Sequence, residues 1–218
     1  MVKIFTLPAN EGDFIWICYG ENEVYSHILI DGGTKECWEE YASIIKIIDE
    51  RKEKIEALVL THVDYDHIQG AIEGICRTSD DLLKRTVKKI YFNTCRGIRR
   101  NLKETGEFLE GSDCVEDQIC VNQNYKQYSV GDGIKFLDLL SEKGLKDRLV
   151  DYVVYGEQAV LPNDAIIRFI SPGEKELIMF ANHWEKYERE NEYVQYASNL
   201  DMVKRNLADL MNENLVSD

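Results

Sequence analysis

Two histidines and two aspartates fall within six residues of one another: His62, Asp64, Asp66 and His67, in the run Leu60-Thr61-His62-Val63-Asp64-Tyr65-Asp66-His67-Ile68-Gln69-Gly70. Imidazole nitrogens and carboxylate oxygens are ligands of divalent ions. An apolar run of strand length, Ala57-Leu58-Val59-Leu60-Thr61, comes directly before them. A strand end is rigid and holds ligands where they are needed. A turn there lets His62 and Asp64 face one position while Asp66 and His67 face the next. Two divalent ions about 3.5–4 Å apart could then share a substrate oxygen and generate hydroxide near neutral pH. The helical spacing that resumes at Ile68 would turn N–H groups toward an anionic group. The competing reading makes these solvated turn residues with Asp66 as a plain helix N-cap. A single aspartate favours a cap; four clustered ligands favour a metal.

The surrounding elements read as an α/β core. Val2–Leu7, Asp13–Tyr19 and Val24–Ile30 are strand-like, with Gly12 and Gly20 as breakers. Asp31-Gly32-Gly33 makes a tight turn, and Thr34 is an expected N-cap for a helix over Lys35–Glu53. In that helix Trp38, Tyr41, Ile44, Ile45 and Ile48 share one buried face. Ala57–Thr61, apolar on both faces, belongs in a sheet interior. A short helix over Asp80–Arg85 and a strand over Lys88–Phe92 follow. Residues 97–127 are polar and weakly periodic and read as a loop or insertion. Gly133–Lys143 reads as a helix, and Ala159–Leu161 with Ala165–Ile170 as a hairpin around Pro162-Asn163-Asp164. Residues 174–218 are helix-rich and charged. The expectation is one domain over 1–218.

The His62-x-Asp64-x-Asp66-His67 segment resembles the His-x-(His/Asp)-x-Asp-His signature of metallo-β-lactamase-fold hydrolases. Ile28-Leu29-Ile30-Asp31-Gly32-Gly33 is similar to that family's first motif, an aspartate ending a strand, and about 28 residues separate the two motifs. The branch most similar is the hydrolase-like domain of bacterial DNA-uptake (competence) channels and its stand-alone relatives, where Asp often replaces the second His as Asp64 does here. The resemblance is specific over Ile28–Ile75, and Ile166–Pro172 with the charged segment around Trp184 is compatible with it. It implies an αββα sandwich and two divalent ions. His62 and Asp64 would serve one ion, Asp66 and His67 the other, and Asp66 would contact the attacking water. Asp31 would support the metal loop without being a ligand; otherwise it is a turn aspartate. A carboxylate at position 64 is a harder donor than imidazole and shifts preference from zinc toward manganese or magnesium.

The family's later motifs have no clear match. His183 reads as a surface or packing histidine and Asp132, in Gly131-Asp132-Gly133, as an N-cap. The expectation is therefore an incomplete second half of the sandwich, with each ion left about two protein ligands where catalytic sites provide at least three. Two functions follow. One is a metal-dependent hydrolase of metallo-β-lactamase type, acting on a phosphoester, nucleic acid included, through metal-bound hydroxide. The other is a non-catalytic or split half that binds a partner chain or a second copy, which would supply the missing ligands. No Gly-x-Ser-x-Gly, phosphate-binding loop or dinucleotide-binding fingerprint offers another chemistry. Arg96, Arg99, Arg100 and Lys103 form a small basic patch, either a solvated helix face or a phosphate-gripping rim.

Composition bounds these readings. With 218 residues and a net charge of −14, the chain can bury roughly 70% of its unfolded surface. Its acidity disfavours sequence-independent binding to long nucleic acid, although a metal site supplies its own positive charge. No apolar run reaches the ~20 residues of a membrane span, and Met1–Asp13 lacks the pattern of a secretory signal. A cytoplasmic protein is expected, with its six cysteines reduced; a Cys114–Cys120 bridge is the alternative.

Overall fold

A computed structural model describes residues 1–104 and 130–191. The chain divides into a first unit, Met1–Ala181, and a second, Asn182–Asp218. In the first unit the elements run β1 (Val2–Thr6), β2 (Phe14–Glu21), β3 (Val24–Asp31), α1 (Trp38–Glu50), β4 (Lys54–Val59), α2 (Tyr65–Arg77), α3 (Asp80–Thr86), β5 (Ile90–Tyr91), α4 (Cys95–Glu104), α5 (Val130–Glu142), β6 (Leu149–Val150), β7 (Gln158–Val160) and β8 (Ile166–Arg168). Residues 174–181 are helical, as are the described residues 182–191 of the second unit.

The fold is mixed α/β, consistent with a metallo-β-lactamase-like sandwich. Strands β1 to β6 form one sheet in sequence order, antiparallel from β1 to β3 and parallel from β3 to β6. A parallel pair needs a crossover, and α1 supplies it between β3 and β4. Strand β4 lies inside the sheet but starts earlier than the apolar run Ala57–Thr61: it takes in half-buried Lys54 and Glu56 and ends at Val59, which leaves Leu60 and Thr61 in the connection to α2. Leu29, Leu58 and Ile90 are in register across β3, β4 and β5 and are almost fully buried. They lie on the sheet face that α1 and α2 cover, where Tyr41, Ile44, Ile45, Ile48, Ile68 and Ile75 are also buried. Full burial of each such side chain contributes about 1.5–3 kcal/mol. The alternate residues Tyr19, Ile28, Ala57 and Tyr91 face the other way and pack with Leu161, Ile167 and Phe169 of the β7–β8 segment. That hairpin turns through Asn163 and Asp164 at φ 58° and 55°, the left-handed conformation a two-residue turn demands.

Several expectations change. Gly20 does not end β2, which continues to Glu21 and pairs Gly20 with Tyr25; the chain reverses instead at Asn22 and Glu23, both at positive φ. Thr34 makes no cap bond, because its Oγ1 accepts from Asn10 Nδ2 at 2.6 Å, and a 3₁₀ turn over Lys35–Cys37 precedes α1. Residues 97–104 are helical within α4, held by buried Cys95, Ile98 and Leu102, while 105–127 lie outside the described residues. Asp132 sits inside the first turn of α5, not at its cap; it is buried and paired with Lys135 at 2.8 Å. His183 is exposed on its helix. Cys18, Cys37, Cys76 and Cys95 are free thiols; Cys114 and Cys120 lie outside the described residues. Among the described residues, no helix is long and apolar enough to cross a membrane.

Candidate metal centre

Helix α2 begins at Tyr65, three residues before the apolar spacing resumes, so Asp64 takes the N-cap position and Asp66 and His67 sit in the first turn. The Asp64 side chain makes no cap bond, so its oxygens are not spent on the helix. His62 lies in the connection from β4, and the two imidazoles come together with ring centroids 3.8 Å apart. His62 Nε2 is 3.6 Å from Asp64 Oδ2, and His67 Nε2 is 3.6 Å from Asp66 Oδ2. All four sequence-expected ligands therefore lie in one patch, each imidazole beside one carboxylate. Asp31, His62 and His67 also offer ligand atoms within 4.8 Å of one another.

Asp31 closes β3 beneath this patch, buried and at φ 55°. Aspartate tolerates the left-handed region better than most residues, at a cost of order 1 kcal/mol or more. Its Oδ1 accepts the Thr61 backbone N–H at 2.8 Å. Its Oδ2 accepts the Thr61 hydroxyl at 2.6 Å and His67 Nδ1 at 3.0 Å. An ionised carboxylate only accepts, so His67 must carry its proton on Nδ1. The Thr61 hydroxyl, having given its proton to Asp31, can only accept from His62 Nδ1 at 2.7 Å. One buried carboxylate thus sets both imidazoles, one directly and one through a hydroxyl. A neutral ring held in this way keeps its lone pair on Nε2, the atom beside the partner carboxylate, which is the tautomer a metal ligand requires.

Close backbone packing holds this arrangement. Gly32 N–H donates to His67 O at 2.8 Å, and Gly70 N–H donates to Gly33 O at 3.0 Å. The approach is so tight that a Cβ on Gly70 would lie 1.9 Å from Gly32 O, and one on Gly12 would lie 1.7 Å from Asp66 O. The donor set fits a divalent cation. Asp13, Asp31, Asp64 and Asp66 crowd the two imidazoles, and among the described residues their ion pairs run only to histidine. Of the basic patch, Arg100 is bound to Asp151 at 2.7 Å and Arg96 is exposed.

Two participants were invisible in the sequence pattern. Thr61 relays Asp31 to His62, and Asp13 Oδ2 reaches to 3.9 Å from His67 Nδ1. A hydroxyl at the last position before the ligand run was the only available signal for Thr61; Asp13 had none.

A cavity of about 420 Å³ opens beside His62, at the carboxyl ends of β4 and β5. Ligands of parallel α/β sheets bind at such strand ends.

Comparison with known proteins points to the same segment. Residues 24–93, from β3 through β5, match the Metallo-beta-lactamase superfamily model. A hydroxyacylglutathione hydrolase of Psychromonas ingrahamii is 28% identical over 111 residues, 51% of this chain and 40% of that relative. The chain thus spans well under half the length of that curated relative. The matched family segment contains Asp31, Thr61 and all four candidate ligands, so the likeness lies on the elements that build this patch.

Proposed function

We propose that this chain carries the metal-binding part of a metal-dependent hydrolase. His62 and Asp64 would hold one divalent ion and Asp66 and His67 a second, with zinc or manganese favoured and magnesium compatible. The observation that carries the reading is Asp31, which fixes both histidines as Nε2 donors. Once bound, such ions polarise the scissile group and lower the pKa of water at the site. The protein's own contribution is positional. Asp31 and Thr61 orient the rings, Asp66 would contact the attacking water and accept its proton, and the N-terminus of α2 favours a developing negative charge.

For the substrate, the hard carboxylates Asp64 and Asp66 and the start of α2 support the phosphoester reading and a kinship with the DNA-uptake branch. The name of the hydroxyacylglutathione hydrolase supports an acyl substrate. The ligand count favours a second reading, a split or non-catalytic half completed by a partner chain, because this turn offers each ion two ligands and catalytic sites use at least three.

The test is metal content of the full chain after dialysis against zinc, manganese or magnesium, with hydrolysis of bis(p-nitrophenyl) phosphate and p-nitrophenyl acetate. The wild type should hold metal and hydrolyse at least one probe, and His62→Ala and Asp66→Ala should each lose metal and activity. Wild-type metal content and activity that survive both substitutions would remove this centre from the mechanism. A metal-binding, inactive chain that sediments as a complex or dimer supports the split reading.

A further inference from the structure

We infer that the cavity beside His62 seats the uncharged, apolar acyl or aryl group of a small ester, which makes the substrate class a small apolar ester and not a polynucleotide. This rests on the hydrolase reading above and deepens it.

The cavity's volume, about 420 Å³, lies within the range of small-ligand pockets, roughly 300–1,000 Å³, and suits a phenyl ring or a short acyl chain. Much of its wall is apolar: Phe92, Val153, Phe169, Leu177 and Phe180 all line it. Two of its polar side chains are already engaged. Asn93 donates Nδ2 to Val153 O at 3.0 Å and accepts Val153 N–H at Oδ1 at 2.7 Å, and Thr61 is held by Asp31. Ser171 and Glu176 remain at the exposed rim.

The charge balance decides between occupants. Among the described residues, no lysine or arginine lines the cavity, and Glu176 brings a carboxylate. A phosphate-rich strand needs cations along its track, whereas an apolar group needs only to leave water. The wall is also preformed. Tyr155 N–H donates to Pro172 O at 2.7 Å, Gly156 N–H to Phe169 O at 3.0 Å, and Phe169 N–H to Glu157 O at 3.0 Å. The Phe169 ring lies 5.5 Å from Tyr91 at the end of β5. Because His62 belongs both to this wall and to the metal centre, an ester whose apolar group fills the cavity would place its carbonyl at the ligand patch. The reaction is ordinary hydrolysis: water oxygen bonds to the carbonyl carbon, the ester C–O bond breaks, and the alcohol leaves with a proton.

The test uses the full chain in two assays. In the first, kcat/KM is measured on metal-loaded protein for p-nitrophenyl acetate, butyrate and hexanoate and compared with cleavage of a single-stranded DNA oligomer. In the second, ligand-observed NMR follows benzyl alcohol with and without metal. The expected result is a rise of about fourfold per added methylene until the cavity is full, with saturation transfer to benzyl alcohol in either metal state. Ser171→Trp at the exposed rim should flatten the series and abolish the NMR signal, and Leu177→Phe, an internal filling, should do the same. Hydrolysis with a flat series and no benzyl alcohol signal overturns the pocket while leaving the hydrolase reading intact. Faster cleavage of the oligomer, or an NMR signal that survives both substitutions, also overturns it. A benzyl alcohol signal that both substitutions remove, without hydrolysis of any probe, upholds the pocket and sinks the hydrolase reading.

Discussion

Replacing one oxygen of Asp31 by nitrogen should reverse the protonation of both clustered histidines. In Asp31→Asn the side-chain oxygen can still accept the Thr61 N–H, as Oδ1 does at 2.8 Å. The amide nitrogen then takes the place of Oδ2, which now accepts from the Thr61 hydroxyl and from His67 Nδ1. An NH₂ group only donates, so His67 Nδ1 must become an acceptor and its proton must move to Nε2. The Thr61 hydroxyl, now accepting from that amide, must donate to His62 Nδ1, and His62 changes in the same sense. Each ring then presents N–H where an ion needs a lone pair. Loss of such a supporting partner typically weakens metal binding by about 10–100-fold, equivalent to about 1.4–2.8 kcal/mol. With both rings affected, a loss of at least about 100-fold is expected. Long-range ¹H–¹⁵N NMR of the imidazoles reads the tautomers with no metal present, and competition against a chromophoric chelator reads the affinity for zinc and manganese. Thr61→Val should free His62 alone and leave His67 as it is. If the Asp31→Asn protein keeps both Nδ1 protons and binds metal within about threefold of wild type, the relay is wrong.

Two further outcomes follow from the packing. Gly70→Ala would place Cβ 1.9 Å from Gly32 O, so α2 must move off the Asp31–Gly33 turn; a loss of about 1–3 kcal/mol should lower Tm by about 2–12 °C, and an unchanged Tm would show that the contact is soft. Fully buried His27 accepts from Trp16 Nε1 at 3.0 Å and contacts Glu53 at 2.8 Å. Burial holds its pKa below the ordinary 6.5, against the opposing pull of Glu53. The unfolded chain therefore takes up the proton first, so stability is full above 6.5 and falls as pH drops toward the folded-state pKa. Urea midpoints at about pH 7.5 and about pH 5.5 should differ less in His27→Gln than in wild type; equal differences would clear His27.

The elements written in local periodicity are legible in the amino-acid order alone. Helix α1 follows from Tyr41, Ile44, Ile45 and Ile48 at three- and four-residue steps, and β4 from an apolar run too short for a helix. Legibility fails where polar residues mask a turn of helix. Asp66 and His67 hide the start of α2, and the arginines of α4 obscure a stripe of only Cys95, Ile98 and Leu102. The four candidate ligands are legible because they are neighbours in sequence. The Asp31–Thr61 link spans 30 residues, and resemblance alone suggests a supporting role for Asp31. The cavity needs Phe169 and Leu177 brought back to the ends of β4 and β5, which no local pattern encodes.

The bond between Asp31 and Thr61 also closes a loop of about 30 residues that contains the whole of α1. Holding such a loop shut costs an entropy of about 3 kcal/mol, met by β3–β4 pairing and by the apolar face of α1 before any ion arrives. An unfolded chain keeps the ligand run but not its arrangement around one point, so an ion held at this centre would favour the folded population. Its affinity then adds directly to fold stability, by about RT ln(1 + [ion]/Kd). A chelator should act on this protein as a mild denaturant, and a cut in the α1 crossover should cost ion affinity and stability together.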